Sequence, residues 1–134
     1  MAENIRVLLV EPGEKPRLVT VEHTLEHLQA LVGGFIQAVY PWEDPVALVC
    51  DDEGLFKGYP FNRMLVDKDG NPCDAVKGAF FICGLGREDF DSISDELATK
   101  YTELFLWPEL LVRTEDEHVL WISLKPGTKP RVVA

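Results

Sequence analysis

The sequence predicts a single α+β domain, a largely antiparallel sheet packed by two short helices, with a C-terminal β-hairpin. Three observations predict it. The longest apolar runs, residues 7–10, 46–50 and 79–83, have strand length and fall far short of the roughly 20 residues needed to cross a bilayer. Two stretches carry apolar residues at helical spacing behind a capping hydroxyl. Turns rich in Gly, Pro and Asp separate these segments. With 134 residues, 46% of them hydrophobic, the chain can bury a core without disulfides or metal. Residues 1–107 are expected to form the α+β core, and residues 108–134 a hairpin and tail packed on the same domain.

Residues 5–10 are β-rich and end at Glu11-Pro12-Gly13-Glu14-Lys15-Pro16, a turn that leads into the alternating residues 17–22; together they read as an antiparallel hairpin. Thr24 caps a short helix carrying Leu25, Leu28, Leu31 and Val32, which Gly33-Gly34 stops. Residues 35–40 resume an extended pattern, Pro41 and Pro45 break it, and residues 46–50 form a central strand. After the turn at residues 51–54, residues 55–59 are expected to return as a strand as far as Pro60. Residues 67–72 form another polar turn, and residues 78–84 a buried strand that enters a glycine-bearing loop. Ser94, followed by Asp95 and Glu96, opens the second helix, with Leu97, Tyr101, Leu104 and Phe105 on one face. Residues 110–113 and 118–124 flank an acidic turn and read as a hairpin that extends or edges the sheet.

Residues 5–20 and 119–134 share six identities in sixteen positions, centred on Pro-Gly-x-Lys-Pro-Arg. Such an echo is what a duplicated strand-turn-strand would leave, and equally what one good turn sequence used twice would leave.

The net charge is −10, from 13 basic and 23 acidic residues. It repels phosphate backbones and anionic lipid, so direct nucleic-acid or membrane binding is not expected, whereas a basic protein surface is attracted. Three cysteines without a C-x-x-C pair predict a reducing compartment rather than a disulfide framework. Residues 1–6 lack the features of a secretory leader, which predicts a cytoplasmic location.

No motif predicts a catalytic set, a metal or a cofactor. His23-Thr24-Leu25-Glu26-His27 matches a zinc-hydrolase spacing, but Thr24 as cap leaves His23 outside the helix. Asp67-Lys68-Asp69-Gly70-Asn71 lacks the ligand set of a calcium loop and reads as a hairpin turn. Gly84-Leu85-Gly86-Arg87 can present N–H groups and a guanidinium to an anion, although Glu88 and Asp89 stand beside it. Tyr40, Trp42, Tyr59, Phe61, Asn62 and Arg63 bring aromatics, prolines and an Asn-Arg pair together in a pattern that serves either a recognition groove or the packing of a sheet end. The candidate recognition residues are therefore Tyr40, Trp42, Asn62, Arg63, Gly84, Gly86 and Arg87. The acidic clusters, if they share one face, also suit mimicry of nucleic-acid phosphates.

Residues 24–41, from Thr24-Leu25-Glu26-His27 to Val39-Tyr40-Pro41, together with Val46-Ala47-Leu48-Val49-Cys50-Asp51-Asp52-Glu53-Gly54, Pro60-Phe61-Asn62-Arg63 and Gly78-Ala79-Phe80-Phe81-Ile82-Cys83-Gly84, resemble the bacterial and phage family known as domain of unknown function 3846 over about residues 5–107. The resemblance implies a small cytoplasmic protein of phages, plasmids or integrated elements, and it implies no activity. The expected function is that of an acidic interaction protein, accessory or anti-defence in character, that binds a basic host protein. The alternative is a small-ligand or nucleotide-binding module using Asn62, Arg63 and the Gly84 to Arg87 loop. Exposed sheet edges also predict a homodimer.

Overall fold

A strand that is apolar at successive positions has to be covered on both faces, and the three apolar runs meet that condition in one sheet. The computed structural model describes residues 3–134, so the first two residues of the stretch read for a leader lie outside the described residues. In chain order the elements are β1 (Asn4–Val10), β2 (Arg17–Glu22), α1 (Leu25–Val32), β3 (Ile36–Val39), β4 (Val46–Asp51), β5 (Phe61–Val66), β6 (Pro72–Lys77), β7 (Phe80–Leu85), β8 (Phe90–Asp91), α2 (Asp95–Leu104), β9 (Glu109–Arg113), β10 (Val119–Ser123) and β11 (Arg131–Val132). The main sheet runs β2-β1-β7-β4-β3 with every pair antiparallel, and β8 pairs with β7. The architecture is thus the expected α+β one.

Each helix begins where its sequence provides a cap. Thr24 Oγ1 accepts from His27 N, and Ser94 Oγ accepts from Leu97 N, so each satisfies one of the free donors of a first turn. Gly33, at φ 93°, ends α1 in the left-handed conformation that glycine adopts without a Cβ penalty. Leu28 and Val32 of α1 cover one sheet face against Val7, Leu9, Val49 and Phe81. Tyr101 and Phe105, with Leu65 and Val76 of the β5–β6 hairpin, cover the other against Leu8, Val10, Leu48 and Ile82. Burial on both sides explains why β4, β7 and the second half of β1, residues 7–10, show no polar alternation. Cys83 lies in this core, where burial pushes its thiol up to about 12, and all three cysteines are free.

Two expectations are corrected. Residues 55–59 are not a strand: the chain from Asp52 to Gly58 is a series of turns, and Phe56 is 87% exposed. The cause is the Asp51 carboxylate, which accepts from Glu53 N (2.9 Å), Lys57 Nζ (2.8 Å) and Tyr59 OH (2.8 Å) and so folds the loop back on itself. The C-terminal hairpin does not extend the main sheet. It gains β11 and forms a separate three-stranded sheet, β11-β10-β9, held beside β5 by Glu109, which accepts from Met64 N at 2.9 Å. Among the described residues no helix is long and apolar enough to cross a membrane.

Candidate functional site

Tyr40 and Trp42 sit in the connection from β3 to β4, which the two prolines Pro41 and Pro45 hold out of helix or ladder. Trp42 lies on the ring of Tyr101 from α2 with centroids 4.4 Å apart, and meets Phe105 edge-on at 5.9 Å. Beneath this stack Asp44 accepts from Lys100 Nζ and from Tyr101 OH, each at 2.6 Å. Those two bonds hold the Asp44 carboxyl below the usual carboxylate range, and burial raises the Tyr101 phenol. Loop and helix are thereby locked together. They form one wall of an open groove of about 1300 Å3, whose other walls are the ends of β5 and β6 and the inward face of the C-terminal sheet.

That last wall carries two residues that no sequence motif singles out. Glu109 accepts from Trp121 Nε1 at 2.7 Å through the same oxygen that holds Met64 N, and both side chains line the groove. Burial pushes the Glu109 carboxyl up, against the pull of its two donors and of Arg63. The only local signal is a lone acid beside Pro108 at the start of an apolar strand. A position on the inward side of an alternating strand is visible only once the sheet is docked.

The candidate recognition residues do not all converge. Tyr40 (61% exposed) and Trp42 line the groove. Asn62 and Arg63 do not reach it, since both are 0% exposed. Asn62 Nδ2 donates to the carbonyls of Val10 and Gly78, each at 2.9 Å. Arg63 spends its five N–H groups on the carbonyls of Phe105 (twice), Glu14 and Asn62 and on Asn62 Oδ1, at 2.7–3.2 Å. A bulge between Phe61 and Arg63 turns successive polar side chains inward, and burial lowers the Arg63 pKa although its charge is fully hydrogen-bonded. This Asn-Arg pair ties β1, β5 and α2 together through main-chain oxygens.

Gly84 and Gly86 belong to the β7–β8 hairpin. A Cβ on Gly84 would lie 2.4 Å from Ser92 O, and Gly86 N donates to Asp89 O at 2.8 Å. Arg87 is exposed at the tip of this turn and does not line the groove. The His23 to His27 stretch is a capped first turn: His23 faces Asp89 and His27 faces Glu22, each at 3.4 Å, with Thr24 between them as the cap.

A second buried polar cluster was not expected. Asp51, at the start of the turn expected over residues 51–54, has a side chain 1% exposed. Burial raises its carboxyl, but Lys57, Glu53 N–H and Tyr59 together hold it below the ordinary Asp value. Gly33, Gly34 and Gly78 make room for the cluster, since a Cβ at any of them would come within 2.8 Å of Tyr59, Lys57 or Asp51 atoms.

The family model described as Domain of unknown function (DUF3846) matches residues 5–106. The chain belongs to this family. The DUF3846 match takes in Tyr40, Trp42, Tyr101 and the β5–β6 hairpin, whereas Glu109 and Trp121 lie beyond it. The groove is therefore completed by a segment outside the DUF3846 match. No curated protein and no solved structure matches the chain.

Proposed function

We propose that this DUF3846 protein is a non-enzymatic interaction protein that receives a basic segment of another protein in the groove between Trp42, Lys100 and Trp121. In keeping with what the family resemblance implies, it does so as an accessory or anti-defence protein of a phage or mobile element, with a host factor as partner. The observation that carries this reading is the make-up of the groove. Aromatic faces from Tyr40, Trp42 and Trp121 stand beside Leu104 and Val66, and the charged lining counts five carboxylates against two lysines. Aromatic surface with surplus negative charge attracts Lys and Arg side chains, through cation–π contact at the walls and through long-range steering from a chain of net charge −10. The alternative, a small-ligand or nucleotide-binding module, draws on Asn62, Arg63 and the Gly84 to Arg87 loop; Asn62 and Arg63 are buried, none of these residues lines the groove, and the groove's carboxylates repel phosphate.

Titration with Lys- and Arg-rich peptides, some carrying aromatic residues, tests the reading through the fluorescence of Trp42 and Trp121. Binding weakens as salt rises, and Tyr40→Ala or Asp74→Lys, both on exposed side chains, lowers affinity about tenfold. Acidic peptides of equal length serve as the control. Equal response to acidic and basic peptides, or affinity unchanged by both substitutions, would contradict the proposal.

A further inference from the structure

Among the described residues no element packs over one face of the C-terminal sheet, where Leu120 and Ile122 of the middle strand are half-buried between exposed neighbours. Its register pairs Leu110 with Ile122, Val112 with Leu120, and Leu120 with Val132, so these five side chains share one side of three strands. The other side is used: Trp121 and Glu109 line the groove, and Arg131 donates to Gly70 O at 2.8 Å with its guanidinium 5.5 Å from the Trp121 ring centroid. On the open side Leu110 is 48%, Val112 40% and Val132 64% exposed. No residue from 106 to 134 is buried, so the strands form without a core of their own on that side. An apolar sheet face of this kind marks an interaction surface.

Charge selects what covers it. Residues 1–107 hold nineteen acids and nine bases, the whole net charge of the chain, while residues 108–134 hold four of each. A strongly basic partner is drawn to the first part. The second is neutral overall but polar along the strands. The β9–β10 turn carries Glu115, Asp116 and Glu117, and the β10–β11 connection carries Lys125 and Lys129. Because β10 is the middle strand, these two connections lie at opposite ends of the sheet.

We propose that two copies of the chain pair through this face, related by a two-fold axis that lies between the sheets and crosses the strands. That operation lays Leu110, Val112, Leu120, Ile122 and Val132 of one copy on the same set of the other. It also sets each acidic turn over the partner's Lys125 and Lys129, and keeps the two acidic bodies at the outside. A two-fold axis along the strands would set acid over acid. The face measures about 17 Å along the strands and about 14 Å across them, smaller than a standard interface, so the dimer is weak and concentration-dependent. The inference is independent of the groove, whose walls are on the other side of the sheet.

Sedimentation equilibrium of the full chain decides it. The mass rises from the 15.1 kDa monomer toward twice that value as concentration increases. Leu110→Lys with Val132→Lys, checked for folding by circular dichroism, weakens association more than about tenfold. Glu115→Lys with Glu117→Lys, and separately Lys125→Glu with Lys129→Glu, each weaken it too, and an equimolar mixture of these two charge variants regains it because every end again faces its opposite. A wild-type chain that stays monomeric into the millimolar range, and so leaves the face for a different partner, overturns the proposal. So does a dimer indifferent to the Leu110 and Val132 changes. Failure of the mixture to associate more tightly than either variant alone overturns the strand-crossing axis.

Discussion

Among the described residues Arg63 is a charge buried without an ion pair, and its five donors end on neutral oxygens of three separate segments. A lysine carries three donors on one nitrogen and cannot reach Phe105 O, Glu14 O and Asn62 Oδ1 from one point. Arg63→Lys is therefore expected to cost about 3 kcal/mol or more, read as a lower urea midpoint with unchanged slope. Asp51 obeys the opposite logic, because its bonds outweigh the burial penalty and hold its folded pKa down. The stability it adds is whole above the unfolded Asp value of 3.8 and is lost as pH falls through the lowered folded value. Asp51→Asn is accordingly less stable than wild type at pH 7 by about 2 kcal/mol, and the gap closes in acid. Urea unfolding of both proteins at the two ends of that range measures it, and a gap that persists at low pH would show that shape rather than charge matters at this position.

At the scale of elements the two Pro-Gly turns show how far local sequence reaches. Glu14 N donates to Glu11 O at 3.1 Å, and Thr128 N donates to Lys125 O at 3.2 Å. Gly13 and Gly127, each following the proline, take φ of 76° and 82°, so the same residues make the same turn twice. The strands beside the turns do not repeat. Leu18 pairs with Leu8, whereas Val132, its counterpart, pairs with Leu120 rather than Ile122, a slip of two residues. The echo thus extends to the turn and not to the ladder. Glycine positions separate in the same way. Gly13 has open space around its missing Cβ, so Gly13→Ala carries only the left-handed backbone cost of about 1 kcal/mol. Gly84→Ala pushes a Cβ into Ser92 O across β7 and β8 and is expected to cost about 3 kcal/mol, since main chain on both sides must move. Thermal unfolding of the two variants side by side gives the ranking, and equal losses would contradict it.

For the whole molecule the dominant quantity is the uneven placement of charge, with the net −10 confined to residues 1–107. Self-repulsion among these groups destabilises the compact state at low ionic strength and is screened by salt. The melting temperature is therefore expected to rise between about 10 mM and about 150 mM salt. A fall over that interval would mean that pairs such as Asp44–Lys100 and Arg17–Glu11 contribute more than the repulsion costs. Local sequence is enough for the two caps, the turns, the strands β1, β4 and β7 and the α+β class, because each of these follows from side-chain period and turn chemistry within a few residues. Tertiary structure alone decided the rest. Asn62 and Arg63, read as candidate recognition residues, lie in the core because distant carbonyls reach them. Residues 55–59 read as a strand and became a loop because one carboxylate collects their donors. The groove exists only where loop, helix and C-terminal sheet dock, since Trp42, Lys100 and Trp121 are brought together by packing across long separations that no local pattern encodes.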